Sequence, residues 1–223
     1  MRRQVSEKTL ELNIAAEFLG IIRGFRGCAN AFWMGMKQDQ EAKTGIDELI
    51  QNVPRGFHLA LQFKSPYPAP KDSAPYKFTI NDFQNNNLLR LARTRPDAVY
   101  YILPHYNTLT TLRASAPNLL GDTWALKVSD LNHLPPSTNG QGTHGVTSYG
   151  GRAAVKSETV TVKTINGKNL LDNLIGTQIH TQDRPLLTHE DLKGWLKSIL
   201  SEIDVTRSTI GQLFRGFSTI CIG

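Results

Sequence analysis

The sequence predicts an α/β domain with a central mixed sheet flanked by helices, followed by a helical C-terminal extension. Three observations predict it. Short apolar or alternating runs bounded by Gly, Pro and Asn recur between stretches of helical periodicity, the order expected of layered α/β folds. The 223 residues suit one large domain. The hydrophobic content of 39% supplies a core, while no apolar run approaches the ~20 residues of a spanning helix.

The elements follow in order. Residues 6–22 read as a helix: Ser6 is placed to cap it, Glu7 complements the positive end of the helix dipole, and Leu10, Ile14, Phe18, Ile21 and Ile22 form the apolar stripe. Gly24 and Gly27 end it. Residues 31–36 and 45–51 read as short strands. Residues 57–64 are the clearest strand, entered through the Asn52, Pro54 and Gly56 turn. Residues 65–75 carry four of the prolines and read as a loop. Beyond it come a strand (76–80), a helix (85–94), a buried strand (98–103) bounded by Pro96 and Pro104, a helix (108–116) and a strand (123–128). Residues 134–151, rich in Pro, Ser, Thr, Asn and Gly, read as loop. Residues 153–165 alternate as a strand or hairpin arm. Residues 188–203 read as an amphipathic helix with Thr188 and Asp191 at its start and Trp195 on its buried face. The expected organisation is therefore a core over 1–135, a loop or linker over 136–151, and a strand and helix extension over 152–223 that packs on the core or on a partner.

The net charge of +6 and the pI of about 9.4 favour an anionic partner such as nucleic acid. The basic N-terminus runs into polar residues, with no hydrophobic signal segment. Cys28 and Cys221 lack zinc-site spacing, and two lone thiols suit a reducing, cytoplasmic setting. No Ser/His/Asp arrangement and no phosphate-binding glycine loop can be argued; the glycines of 140–151 lack the strand–turn–helix context.

The chemistry concentrates between Glu11 and Lys64. Asp47 follows Gly45 on or near one strand, and Gln62 and Lys64 lie two apart on the next. Residues i and i+2 of a strand share a face, so Gln62 and Lys64 point together. The turn at 52–56 makes the two segments neighbours. A carboxylate and an amide carbonyl are hard oxygen donors suited to Mg²⁺ or Mn²⁺, and a lysine beside them serves phosphodiester hydrolysis by stabilising developing charge. Glu11 falls within the apolar arc of the first helix, where a carboxylate is costly unless paired or metal-bound. It is the preferred helix-borne acid, with Glu17 second; Glu7 is set aside as a first-turn residue. The bland alternatives stay open: Gln62 and Lys64 as a solvent face, Asp47 as a turn acid.

A helix acid, then Gly-x-Asp, then a strand bearing Gln-x-Lys resembles the PD-(D/E)xK nuclease superfamily in the variant where Gln replaces the second acid. The resemblance covers roughly the first 130 residues, with Leu61-Gln62-Phe63-Lys64 and the run from Asp97 to Pro104 as its strands. It implies a restriction-endonuclease-like core, metal ligation by Asp47, Gln62 and Glu11, and a catalytic role for Lys64. It further implies a metal-dependent endonuclease acting on DNA in preference to RNA, in a setting such as anti-phage defence. The neutral Gln62 leaves fewer negative charges to hold the ion.

Candidate nucleic-acid contacts are His58, which shares strand parity with Gln62 and Lys64, and the basic residues Lys71, Lys77, Arg90 and Arg93. Tyr67, Tyr76 and Phe83 are candidate stacking residues. The competing expectation is a catalytically silent nucleic-acid-binding or scaffold subunit, as a homodimer or within a larger defence complex.

Overall fold

The computed structural model describes residues 4–24, 28–35, 48–53, 57–68, 73–137, 140–156, 160–180, 190–191, 194–195 and 198. The chain is α/β, with two sheets and four α-helices among these residues. Helix α1 (Glu7–Arg23) starts at Ser6, whose hydroxyl accepts the Thr9 amide at 3.2 Å, and stops at Gly24. Strands β1 (Phe32–Gly35), β2 (Glu48–Val53) and β3 (Phe57–Phe63) form an antiparallel meander, with a bulge-like register shift between Ile50 and Val53. The chain then leaves this sheet for β4 (Tyr76–Asn81) and helix α2 (Asp82–Thr94), and returns as β5 (Val99–Pro104), parallel to β3. A parallel neighbour requires such a long crossover.

Helix α3 (Leu109–Ser115) and β6 (Thr123–Lys127) follow, and then β7 (Thr143–Ser148), β8 (Arg152–Val155), β9 (Val160–Lys163), β10 (Ile165–Asn166) and helix α4 (Gly167–His180). The central sheet runs β1-β2-β3-β5-β6-β10 and the second sheet β4-β7-β8-β9. Every residue of β5 is buried, the signature of a strand covered on both faces.

Two expectations need correction and one element escaped the sequence reading. The stretch 136–151, expected as loop, contains β7, which pairs with β4 along its whole length from Tyr76↔Ser148 to Asn81↔Thr143. Its Thr, Gly and Ser content reads as loop, and with Val146, Thr147 and Ser148 all buried it lacks a full alternation to mark it as a strand. Helix α2 begins three residues before the expected start, because Asn81 accepts the Gln84 amide and caps it there. Helix α4 was not anticipated. Of the expected 188–203 helix, residues 190–191, 194–195 and 198 are described and helical; Trp195 donates to the Asn87 carbonyl at 2.9 Å and Asp191 accepts from Arg95 at 3.0 Å, so this segment docks on α2. Because β4 pairs with β7 and β6 with β10, residues 143–166 complete sheets begun before residue 135.

Glu17, the second-choice acid, has a structural role. Its carboxylate accepts the amides of Leu119 (2.6 Å) and Leu120 (3.3 Å), the orphan donors at the start of a 3₁₀ turn over Leu119–Asp122. The two sheets are joined at His105, just past β5. Its ring stacks on Tyr76 of β4 at 4.3 Å, and its Nε2 lies 2.8 Å from the Ser148 hydroxyl of β7. The β7–β8 hairpin also rests on the central sheet. Gly150 (φ 71°) and Gly151 (φ 56°) make a tight left-handed turn, and a Cβ on Gly150 would sit 3.1 Å from the Trp124 ring of β6.

Burial holds the His105 imidazole neutral, lowering its pKa from 6.5 to about 4. Its folded pKa lies below its unfolded value, so its contribution to stability is complete above about pH 6.5 and is lost as the pH falls toward 4, a swing of at most about 3 kcal/mol. Urea unfolding at pH 7 and pH 4.5 is therefore expected to show a smaller acid loss in His105→Gln, which keeps a polar partner for Ser148, than in the wild type. Equal acid losses in the two proteins would refute this role.

Candidate functional site

The site is built where the first turn of α1 meets the C-terminal ends of the two parallel strands. Gln4 makes a β-bridge to Thr108, and the Val5 amide donates to the Asn107 carbonyl at 3.2 Å, tying the segment before α1 to the chain leaving β5. Two residues on, the Glu7 carboxylate accepts the Ser65 amide at 2.8 Å, tying the helix to the chain leaving β3. The Lys64 amide in turn donates to the Ile102 carbonyl of β5 at 3.0 Å. The first turn of α1 is thus fastened to both strands. In α/β sheets the carboxyl ends of parallel strands are where ligands bind.

These ties enclose an open cleft of about 400 Å³ lined by Gln4, Glu7, Lys64, Ser65, Tyr67 and Thr79, with Pro66 and Pro68 at its rim. An acid and a base share it. The carboxylate also lies at the N-terminal end of α1, where the helix dipole favours negative charge.

The structure brings together only part of the expected constellation. Lys64 lines the cleft. Glu7 is the α1 acid there, whereas Glu11 lies one turn further along, 6% exposed and ion-paired with Lys8. First turns ordinarily fray; here the bonds of Gln4 and Val5 to the strand-end backbone hold that turn in place. Gln62 is 1% exposed, and its side-chain Nε2 donates to the Phe63 carbonyl at 3.1 Å.

The register assigns Gln62 to a face. Its Cα partner is Tyr101, whose hydroxyl donates to Asn85 of α2 at 3.2 Å. The opposite face carries Leu59, in line with Ile50 and Trp33, and Trp33 meets Phe18 of α1 edge-on at 5.9 Å. Gln62 therefore faces the α2 layer, while Glu11 is on the helix that covers the other side. The sheet separates them, so Glu11 and Gln62 do not form one ligand set across it. Glu7 and Lys64 share the cleft because both lie at the carboxyl ends of the parallel strands.

Asp47 and Lys71 lie outside the described residues. Asp47 is joined by its peptide bond to Glu48, whose Cα partner is Leu61, next to Gln62. His58 belongs to β3, with its side chain outside the description. Lys77 is exposed on β4, on the same face as Thr79. Arg93 is exposed on α2. Arg90 lines a different cleft of about 350 Å³, with Thr94, Asp191 and Trp195, and neither it nor Arg93 lines the cleft of Lys64. Glu7, set aside in the sequence as a first-turn acid, and Thr79, for which the sequence held no signal, join Lys64 and the stacking candidate Tyr67 in the cleft.

If the tie between Glu7 and Ser65 holds the cleft together, Glu7→Ala loses about 1–2 kcal/mol of stability in urea unfolding, the scale of a lost hydrogen bond to a charged group at a half-exposed position. Glu7→Gln, which keeps an acceptor, recovers part of that loss. An alanine variant as stable as the wild type would show the tie to be incidental.

No protein-family model matches the chain, and a search of curated proteins returns no match. Among the described residues, no helix is long and apolar enough to cross a membrane.

Proposed function

We propose that this protein is a divalent-metal-dependent endonuclease on a restriction-endonuclease-like core, cutting phosphodiester bonds with a preference for DNA. The observation that carries the reading is the meeting of Glu7 and Lys64 in one cleft at the carboxyl end of β3, the strand that bears Gln62. A helix flanking a mixed sheet, an antiparallel meander and a parallel fourth strand are consistent with that core. The basic balance of the chain suits a polyanionic substrate.

The donor chemistry fits a hard cation. Glu7 offers carboxylate oxygen in the cleft, and Asp47, adjacent in sequence to the first residue of β2, would supply the second carboxylate. Gln62, buried and facing the α2 layer, is not among the residues lining the cleft. A bound Mg²⁺ or Mn²⁺ would polarise the phosphoryl group and acidify water. Lys64 places a cation where negative charge builds up on the phosphoryl oxygens. Glu7 orients the Ser65 amide and holds the backbone that carries Lys64.

A second reading is favoured by one observation. Gln62 is buried and turned toward α2, which suits a nucleic-acid-binding subunit that retains this architecture without cleaving. Incubation of supercoiled plasmid and of circular single-stranded DNA with Mg²⁺ or Mn²⁺ separates the two. The nuclease reading expects cleavage by the wild type and a loss of roughly 10²-fold or more in Lys64→Ala, the scale of removing a charge-stabilising group. Equal cleavage by both would remove Lys64 from the chemistry. Salt-sensitive DNA binding without cleavage would support the silent subunit.

A further inference from the structure

Tyr67 stands at the mouth of the cleft with 54% of its surface exposed, yet it is held at both ends. Its hydroxyl accepts the Thr79 hydroxyl at 2.6 Å, and its backbone amide donates to the Lys77 carbonyl at 2.7 Å. Pro66 and Pro68 restrict the backbone on either side. An exposed aromatic side chain ordinarily gains nothing from being fixed, because fixing it costs rotamer entropy without burying its face. Here the fixed, exposed ring is set beside a cationic side chain, Lys64, that lines the same cleft.

The surroundings define what would lie on it. Strand β4 alternates, with Tyr76, Phe78 and Ile80 buried and Lys77, Thr79 and Asn81 toward the outer side. Lys77 therefore shares the face of the Thr79 that clasps Tyr67. A lysine lining the cleft of an aromatic platform, with a second on the strand face that clasps it, matches a nucleotide, with its base on the ring and its phosphates on the ammonium groups. The cleft volume of about 400 Å³ is at the small end for ligand sites and suits one such unit.

Within the nuclease reading, on which this inference rests, we propose that Tyr67 is a base-stacking platform and that the substrate is therefore nucleic acid with an unpaired nucleotide, a single strand or frayed end, beside the bond that is cut. In an intact duplex each internal base is covered on both faces by its neighbours, so Tyr67 has no exposed base face to cover. In a single strand it has one, whatever the sequence, because every base has a π-face.

Binding measured in EDTA tests this apart from cleavage. A fluorescein-labelled single-stranded oligodeoxynucleotide and a covalently closed circular duplex competitor are titrated against wild type, Tyr67→Phe and Tyr67→Leu. Tyr67→Leu is expected to weaken single-strand binding by about fivefold or more, the scale of one lost base–aromatic stack. Tyr67→Phe, which keeps the ring, stays close to wild type, and duplex competition is unchanged. A 2-aminopurine in the strand is quenched by wild type and Tyr67→Phe but not by Tyr67→Leu. Unchanged single-strand binding in Tyr67→Leu, or equal losses for single strand and duplex, overturns the platform while leaving the nuclease reading to the plasmid assay. A wild type that binds no nucleic acid either in EDTA or with Ca²⁺ added in its place overturns both. Tyr67 is exposed, so the leucine variant should fold, and its thermal melt verifies that.

Discussion

The hydrogen bond from the Ser65 amide to the Glu7 carboxylate is the constraint on which the candidate site depends. It spans 58 positions of sequence and joins the first helix to the end of the third strand. Without it, the acid and the lysine would belong to two elements that need not meet. Its setting strengthens it: the carboxylate is charged, sits at a helix N-terminus and accepts a backbone amide that leaves a strand and needs a partner. The bonds of Gln4 and Val5 to the chain after β5 make this first turn part of the sheet's end rather than a fraying terminus.

The second sheet supplies the other wall. Strand β4 carries Thr79 and Lys77, and its position relative to β3 is set by the packing of His105 between Tyr76 and Trp124 and by the seat of Gly150 on Trp124. The imidazole acts there as a neutral, flat filler with one polar contact. The cleft is therefore the space left between a helix terminus, a strand end and the edge of a second sheet. The second sheet's wall is anchored by residues away from the cleft, whereas Gln4, Glu7 and Ser65 both line the cleft and fasten the helix wall.

Much of the fold was legible because its signals are local. The Ser6 cap, the apolar stripe of α1, the turn before β3 and the prolines bounding β5 each specify an element from a few neighbouring residues. Strand β7 was not legible: Thr143-His-Gly-Val-Thr-Ser148 reads as loop by composition, and only its pairing with β4 makes it a strand. The site was half legible. Strand alternation singled out Lys64, which lines the cleft, while burial periodicity chose Glu11 over Glu7. A buried acid on an apolar arc is satisfied here by Lys8 from the preceding turn, while the acid that reaches the cleft does so through a contact 58 residues away that no local pattern reports. Nor could alternation along β3 show that α1 and Gln62 lie on opposite faces, because faces are assigned by which helix covers which side.

The central claim is that the cleft at the end of β3 holds a divalent cation with Glu7 as one of its ligands. Crystals soaked in Mn²⁺, measured for anomalous scattering, test it most directly. The account predicts a single strong peak in the cleft at about 2.0–2.3 Å from a Glu7 carboxylate oxygen, a hard-cation distance, with Asp47 as a second ligand. A cleft without a peak at saturating Mn²⁺, or a peak held only by residues remote from Glu7 and Lys64, would contradict it.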